Sequence, residues 1–357
     1  MAVRDTIESL SDERARRRGP LRIVTIGGGT GLSTLLKGLK QYSHVNAQFP
    51  SPRPRLDITA IVTVTDDGGS SGRLRRDFDM LPPGDIRNCM VALAEDEALL
   101  TRLFQFRFNG GRGLKGHSFG NLFLTVLTQI TGDFTAAVTL SSEVLAIAGK
   151  IYPSTNAQVA LRATLADGAL IEGESRISRS TQPIRRIELQ PANCRPLSEA
   201  IAAIQSADLI TLGPGSLYTS VIPNLLVTGI ASAIARSAAT KAYIVNLMSQ
   251  PGETIGMNAT EHLVAIETHA KRRLIDCAVV NTAPIAAPAR KRYAEQKASP
   301  VAADVDEIRG MGIHVVEAPL VAAGEKIRHD SQRLADAVLQ LARKSRRAHA
   351  SVSRRGV

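Results

Sequence analysis

The feature that most restricts the fold is a pair of strand-to-glycine junctions near the start of the chain. Leu21-Arg22-Ile23-Val24-Thr25-Ile26 runs into Gly27-Gly28-Gly29-Thr30-Gly31-Leu32-Ser33. About thirty residues later Ile58-Thr59-Ala60-Ile61-Val62-Thr63-Val64-Thr65 runs into Asp66-Asp67-Gly68-Gly69-Ser70-Ser71-Gly72-Arg73. Each reads as a buried β-branched strand that stops in a loop with more glycine than a connection needs. Leu32, Leu35, Leu36 and Leu39 fall at i, i+3, i+4 and i+7, which predicts a helix directly after the first loop. Strand, glycine turn and helix N-terminus together make an anion cradle, because backbone N–H groups converge there and the helix dipole favours negative charge. In open α/β sheets, ligands sit at such carboxyl ends of strands. The expected ligand carries phosphate and is a nucleotide.

Composition permits this reading and removes others. At 357 residues, 44% hydrophobic and 22% charged, the chain has an ordinary globular balance. No apolar run approaches the roughly 18 residues of a membrane span. The opening MAVRDTIESLSDERARRRGP lacks the apolar centre of a signal peptide, and Cys89, Cys194 and Cys277 form no CxxC pair. A cytoplasmic location is expected. Of the net charge of +11, six positive charges lie from Arg343 onward with no acid among them, leaving +5 for the remainder. Residues 343–357 are therefore expected to be a basic, disordered tail, and residues 1–19 a disordered leader. With 4% aromatics and no Trp there is little material for stacking bases, so nucleic acid is not an expected partner.

Between leader and tail the pattern predicts one α/β domain, residues 20–342, with a mostly parallel sheet. Pro50, Pro52 and Pro54 mark a loop between the first two strands. Asp85 is placed to cap a helix through Ala94, and Leu99 to Phe108 reads as helical. The clearest helix carries Phe119, Leu122, Phe123, Val126, Leu127 and Ile130 and stops at Gly132; another runs from Phe134 to Ala148. From Val159 the period turns alternating, with Asp167-Gly168 as a hairpin turn, so a small antiparallel insertion is expected over about 150–195. Strands then follow at Asp208–Leu212, Ala242–Leu247, Asp276–Val280 and Ile313–Glu317, and a last helix starts at Asp330.

Several residue sets suit phosphate chemistry. The Gly27–Ser33 loop is no Walker A motif, since no Gly-Lys-Ser/Thr follows, and Leu32 replaces the last glycine of GxGxxG. Gly28, Gly29, Thr30 and Gly31 nonetheless exceed what a tight turn requires; a turn without ligand is the alternative. Asp66 and Asp67 sit where doubly wound folds place an acid for ribose; they also suit Mg²⁺ beside a diphosphate, or an Asx turn at Gly68-Gly69. Ser70, Ser71, Arg73 and Arg87 supply hydroxyls and forked cations for phosphate. His117 and Asn121, at the start of the strongest helix, suit a phosphate contact, proton transfer or capping. Gly213, Pro214, Gly215 and Ser216 repeat the strand–glycine–helix logic, and Asn246 and Gln250 follow another strand end. Lys326-Ile327-Arg328-His329-Asp330 puts basic residues just before a capped helix.

The motifs GGGTGLSTLLKGLK, TVTDDGGSSGRLRRDF, PPGDIRN, GHSFGNLFL, LGPGSLYTSVIPNLL and NLMSQPGET closely resemble, in matching order from Leu21 to Leu341, the YvcK-like proteins. These are called gluconeogenesis factors and belong to the superfamily of 2-phospho-L-lactate transferase. The resemblance implies a Rossmann-like three-layer α/β/α core and binding of uridine-diphosphate sugars such as UDP-N-acetylglucosamine. It implies a role in cell-wall synthesis and cell shape during gluconeogenic growth; a regulatory protein partner is expected. Carried over by motif, Gly28 to Gly31, Asp66, Arg73, Asn88, His117, Asn121 and Gly213 to Ser216 surround the nucleotide, and Arg328 contacts diphosphate or sugar. No cofactor is required, with Mg²⁺ the one candidate. A non-catalytic binding regulator is the expectation, with a homo-oligomer left open. The alternative is a transferase like the relatives that move a phospholactyl group from a guanosine-diphosphate-linked donor onto a deazaflavin, with Asp66 or Asp67 binding metal or accepting a proton.

Overall fold

The computed structural model describes residues 19–43, 56–95 and 97–352. The leader up to residue 18 and the proline stretch at 50–54 lie outside the described residues.

Strands β1 (Leu21–Gly27) and β2 (Leu56–Val62) are parallel neighbours, Ile23 opposite Ile58 and Gly27 opposite Val62. Both are covered on two faces, which is why each reads as a nearly unbroken apolar run. β3 (Lys150–Pro153) pairs with β2 and forms one edge. β4 (Ala160–Leu165), β5 (Leu170–Glu172) and β6 (Ile184–Gln190) make a separate antiparallel sheet in the order β5-β4-β6. The chain then re-enters the main sheet as β7 (Leu209–Leu212), followed by β8 (Thr240–Ile244), β9 (Cys277–Asn281) and β10 (His314–Ala318). The seven-stranded order is β10-β9-β8-β7-β1-β2-β3, with every pairing parallel. From β1 the chain winds outward to β3, then returns to the other side of β1. The topological switch point therefore lies between β1 and β7, where a crevice opens beyond the carboxyl ends.

Helices flank this sheet. α1 (Gly29–Lys40) buries Leu32, Leu35, Leu36 and Leu39 completely, each worth about 1.5–3 kcal/mol of apolar burial. Next come α2 (Gly69–Phe78), α3 (Gly84–Leu93), α4 (Glu97–Phe104), α5 (Phe119–Thr131) and α6 (Phe134–Val144). A short α7 (Glu174–Ile177) belongs to the insertion. The C-terminal helix, Ser331–Val352, starts against α1: a Cβ on Gly38 would lie 1.9 Å from the Ser331 carbonyl oxygen, so only glycine permits that approach. Among the described residues no single helix is long and apolar enough to cross a membrane.

Several sequence expectations are corrected. β2 ends at Val62, so Asp66 and Asp67 do not close a strand, and the loop expected through Arg73 is helical from Gly69. Asp85 does not cap α3; it occupies the first turn, behind Pro83. The helix expected over Leu99 to Phe108 stops at Phe104, and the one expected to reach Ala148 stops at Val144. Lys150–Pro153 belongs to the main sheet, not to the insertion. On α5 the fully buried residues are Gly120, Asn121, Leu124, Thr125 and Thr128, while Phe119, Leu122, Phe123 and Leu127 are half-buried and Val126 and Ile130 exposed. The C-terminal helix runs to Val352, so the basic stretch from Arg343 is helical that far; Arg346 pairs with Asp208 at the foot of β7.

Candidate functional site

The two glycine turns expected to bind phosphate pack backbone to backbone at the switch point. A Cβ on Gly31 would lie 2.4 Å from the Pro214 carbonyl oxygen, and one on Gly215 would lie 3.2 Å from that of Gly28. Gly213, at φ +78°, turns the chain out of β7 behind this contact. Asn224 braces the pair: its buried Nδ2 donates to the carbonyls of Gly27 (3.1 Å) and Ser220 (2.7 Å). Neither helix emerging from these turns has a side-chain cap or an acid in its first turn, namely α1 and the π-helical turn Leu217–Val221. Carboxyl groups from elsewhere in the chain serve part of each start instead, Asp85 at the Gly29 N–H and Glu253 at the Tyr218 N–H, and the remaining turn amides meet one cleft.

That cleft, about 280 Å³, holds Gly28, Gly29, Thr30, Gly31, Pro214, Gly215 and Ser216 on one wall. The opposite wall comes from the segment after β8, including Asn246 and Gln250, and from Tyr293, Arg328 and His329. Gln250 Nε2 donates to Ser216 Oγ at 2.8 Å, tying the walls together, while its buried Oε1 has no partner within the protein. Burial pushes the His329 imidazole down to about 4, so the ring is neutral at physiological pH.

The other sequence candidates gather in a second, adjoining cluster. Asn121 Nδ2 donates to Ser70 Oγ (3.1 Å), which also bonds His117 Nδ1 (3.0 Å) and lies beside Ser71. Ser118 caps α5, its Oγ accepting from the Asn121 N–H. The buried Arg87 guanidinium reaches Ser118 Oγ and Asn121 Oδ1, each at 2.7 Å, and Asn88 Oδ1 at 2.9 Å; its Nε has no partner. Gly120 makes room for it, since a Cβ there would lie 2.8 Å from Arg87 Cδ. Burial, and then the nearby Arg107, lower the Arg87 pKa. His117 is likewise lowered, by burial first and then by Arg73. Arg73 donates to the Lys115 carbonyl at 2.9 Å, fastening the loop that precedes α5.

Between the two clusters lie carboxylates. Asp66 Oδ1 accepts from the Gly68 N–H at 2.9 Å, the Asx turn weighed above. Asp67 Oδ1 accepts from the Ser175 N–H at 2.9 Å, docking the insertion onto the core. Asp85 accepts from the Gly29 N–H, yet burial and the charge of Asp66 push its pKa up to about 6. Glu174 is raised well above the usual carboxylate range by burial, then by Asp66 and Asp85. Burial also raises Glu253, although Thr219 Oγ1 (3.0 Å) and the Tyr218 N–H (3.2 Å) donate to it. No group of three His, Cys, Asp or Glu side chains among the described residues has the arrangement of a metal site.

The residues singled out in the sequence gather in these two clusters, and Asp66 and Asp67 lie between them, but Asp85 and Glu174 were not singled out as site acids. Asp85 was visible in Pro82-Pro83-Gly84-Asp85 only as a helix signal. Glu174 carried no signal, because the insertion brings it back to Thr65 (3.4 Å) from more than a hundred residues away.

Known proteins resemble most of this chain. The family model described as 2-phospho-L-lactate transferase CofD matches residues 23–321. A gluconeogenesis factor of Halalkalibacterium halodurans is 46% identical over 89% of this chain and 95% of its own length. One of Bacillus subtilis is 46% identical over 90% and 98%. A crystal structure of a UPF0052 family member from Bacillus halodurans superposes with a TM-score of 0.83 at 45% identity, covering 90% of this chain and all of that one.

Proposed function

The chain belongs to the 2-phospho-L-lactate transferase CofD family, among its gluconeogenesis factors, and from that premise we propose that it is a cytoplasmic regulator that binds a uridine-diphosphate sugar without turning it over. The observation that carries the proposal is the backbone-to-backbone packing of the two glycine turns at one cleft that Arg328 also lines. A diphosphate set between them accepts N–H bonds from both glycine turns and a charge-assisted bond from the arginine. The sugar then extends along the second wall, where the free Gln250 Oε1 and the neutral His329 suit hydroxyl and amide partners. Ligand occupancy reports the supply of activated sugar, and through a protein partner the regulator adjusts carbon flow, wall synthesis and cell shape during gluconeogenic growth. The proposal needs no resident metal.

Calorimetric titration with UDP-N-acetylglucosamine, GDP and NAD tests it. Saturable heat with the UDP-sugar and no new product by chromatography is expected. Arg328→Ala weakens binding about 10- to 100-fold, the worth of one charged hydrogen bond, with an unchanged melting curve. Unchanged affinity in that variant refutes the assigned diphosphate position.

One observation favours a second reading, a phospholactyl-type transferase. Asp85 and Glu174 hold protons more tightly than ordinary carboxyl groups beside the cradle, as an acid or base in group transfer would. Metal-dependent product from a guanosine-diphosphate-linked donor, abolished by Asp66→Asn, would replace the first reading with this one.

A further inference from the structure

The antiparallel insertion borders a second cavity, of about 480 Å³, which shares no residue with the cleft. It opens between β6 and the carboxyl end of the helix Ala259–Ala270, and its volume falls in the range of about 300–1,000 Å³ typical of small-molecule sites. Three cations line it: Arg185, Arg186 and Lys271. Both arginines sit at a β-bulge. Arg186 stands opposite Thr164 and Ile184 opposite Leu165, so Arg185 is an extra residue with no counterpart on β4. The bulge breaks the in–out alternation of the strand: Ile184 and Ile187 are buried, and both arginines between them are exposed. Glu188, the one carboxylate in this wall, is already shared by Arg162 at 3.0 Å and Arg186 at 2.9 Å. Among the described residues Arg185 and Lys271 form no ion pair. His269 completes the wall and is fixed on three sides. Its Nε2 accepts from the Ile187 N–H at 3.0 Å, so the proton sits on Nδ1 and goes to the Ala265 carbonyl at 2.7 Å. Its ring meets Tyr218 edge-on, with centroids 5.8 Å apart.

We propose that this cavity is a second ligand site and takes a small, soluble organic phosphate monoester. Lys271 follows a helix end whose carbonyls draw a cation, but Arg185 and Arg186 belong to a strand and answer no such field. Three cations against one shared carboxylate leave an excess of positive charge on a concave wall, where field lines concentrate. A phosphate monoester brings about −1.5 to −2 charges and three acceptor oxygens on one atom, an oxygen for each cation. A carboxylate brings one charge and two oxygens. The cavity is far larger than a bare phosphate needs, and Leu226 and Ala192 give a carbon body something to lie against. Among the described residues the wall holds no aromatic ring besides the His269 imidazole, so a nucleotide base has little to stack on. This inference does not depend on which ligand the cleft takes.

Calorimetric titration of the full chain with glucose 6-phosphate, inorganic phosphate and citrate tests it. Glucose 6-phosphate should bind saturably and more tightly than inorganic phosphate. Arg185→Ala and Lys271→Ala, both at exposed positions, should each weaken it about 10-fold or more with circular dichroism unchanged. Arg328→Ala, in the cleft, should leave it unaltered. The side-chain nitrogen signals of His269 in NMR should move with glucose 6-phosphate and stay in place with UDP-N-acetylglucosamine, which locates the ligand at this wall whether or not the cleft takes a UDP-sugar. Absence of saturable glucose 6-phosphate binding overturns the proposal, as does binding that Arg328→Ala abolishes and Arg185→Ala leaves intact. Citrate bound more tightly than glucose 6-phosphate, again through Arg185, overturns the phosphate in favour of a polycarboxylate. Flotation with phosphatidic acid vesicles, without binding of glucose 6-phosphate, overturns the soluble ligand in favour of a lipid headgroup.

Discussion

Asp85→Asn should stabilise the protein, and only above about pH 4. In the folded chain the Asp85 carboxyl titrates near 6 against an ordinary 3.8, because burial and Asp66 outweigh the Gly29 N–H and Arg87. Between those two values the native state binds the proton more tightly than the unfolded chain does. Stability is then fully present below pH 3.8 and falls as pH rises through 6. A shift of this size corresponds to about 3 kcal/mol at neutral pH. Asparagine cannot ionise, yet it keeps an oxygen for the Gly29 N–H. The variant should therefore exceed the wild type by up to about 3 kcal/mol at pH 7.5 and match it near pH 4. Loss of the Asp85 charge also relieves Glu174, which is raised partly by it, and this adds to the gain in the same direction. Urea denaturation followed by far-UV circular dichroism across that pH range reads the difference. A gap that stays constant with pH, or an asparagine variant weaker than wild type at neutral pH, refutes the reasoning. A positive result identifies an acid held at a cost to stability, the usual mark of a group placed for function.

Two glycine substitutions separate the cradle from the scaffold. Gly31→Ala drives a methyl into the Pro214 carbonyl, so calorimetry should show about 1–3 kcal/mol of destabilisation together with loss of the UDP-sugar heat signal. Gly38→Ala meets the Ser331 carbonyl, neither residue lining the cleft, and should cost a similar amount while leaving ligand affinity unchanged. Arg87→Met strands the acceptors on Ser118, Asn121 and Asn88 and removes a cation that lowers Asp85. Its destabilisation, about 2–4 kcal/mol at neutral pH, should shrink toward pH 4 as Asp85 protonates, and denaturant titrations at the two pH values check this.

How much of this was legible in the sequence depended on whether the cause was local. β1, its glycine turn and α1 were readable because β-branched runs, glycine and a 3.6-residue leucine period act within a dozen residues. The hairpin at Asp167-Gly168 was readable for the same reason, with Gly168 at φ +87°. β3 was misassigned because four residues carry no period, and its partner β2 lies some ninety residues earlier. Asp85 and Glu174 looked ordinary because their character comes from neighbours that only folding brings together.

The most instructive element is α5, whose periodicity predicts the helix but not which side of it meets the core. Phe119, Leu122, Phe123, Val126, Leu127 and Ile130 do form one stripe, but a hydrophobic period reports which residues share a face, not which face meets this chain's own core. Here the inward side had to be polar, since Asn121 answers Arg87 and Ser70, and Gly120 lets Arg87 pass. Once the functional cluster claims that side, Phe119 and Phe123 pack on Phe104 of the neighbouring helix, and Val126 and Ile130 are left exposed. A hydrophobic stripe split in this way, part packed on a neighbouring helix and part exposed, is the trace of a polar site claiming the helix's inner side.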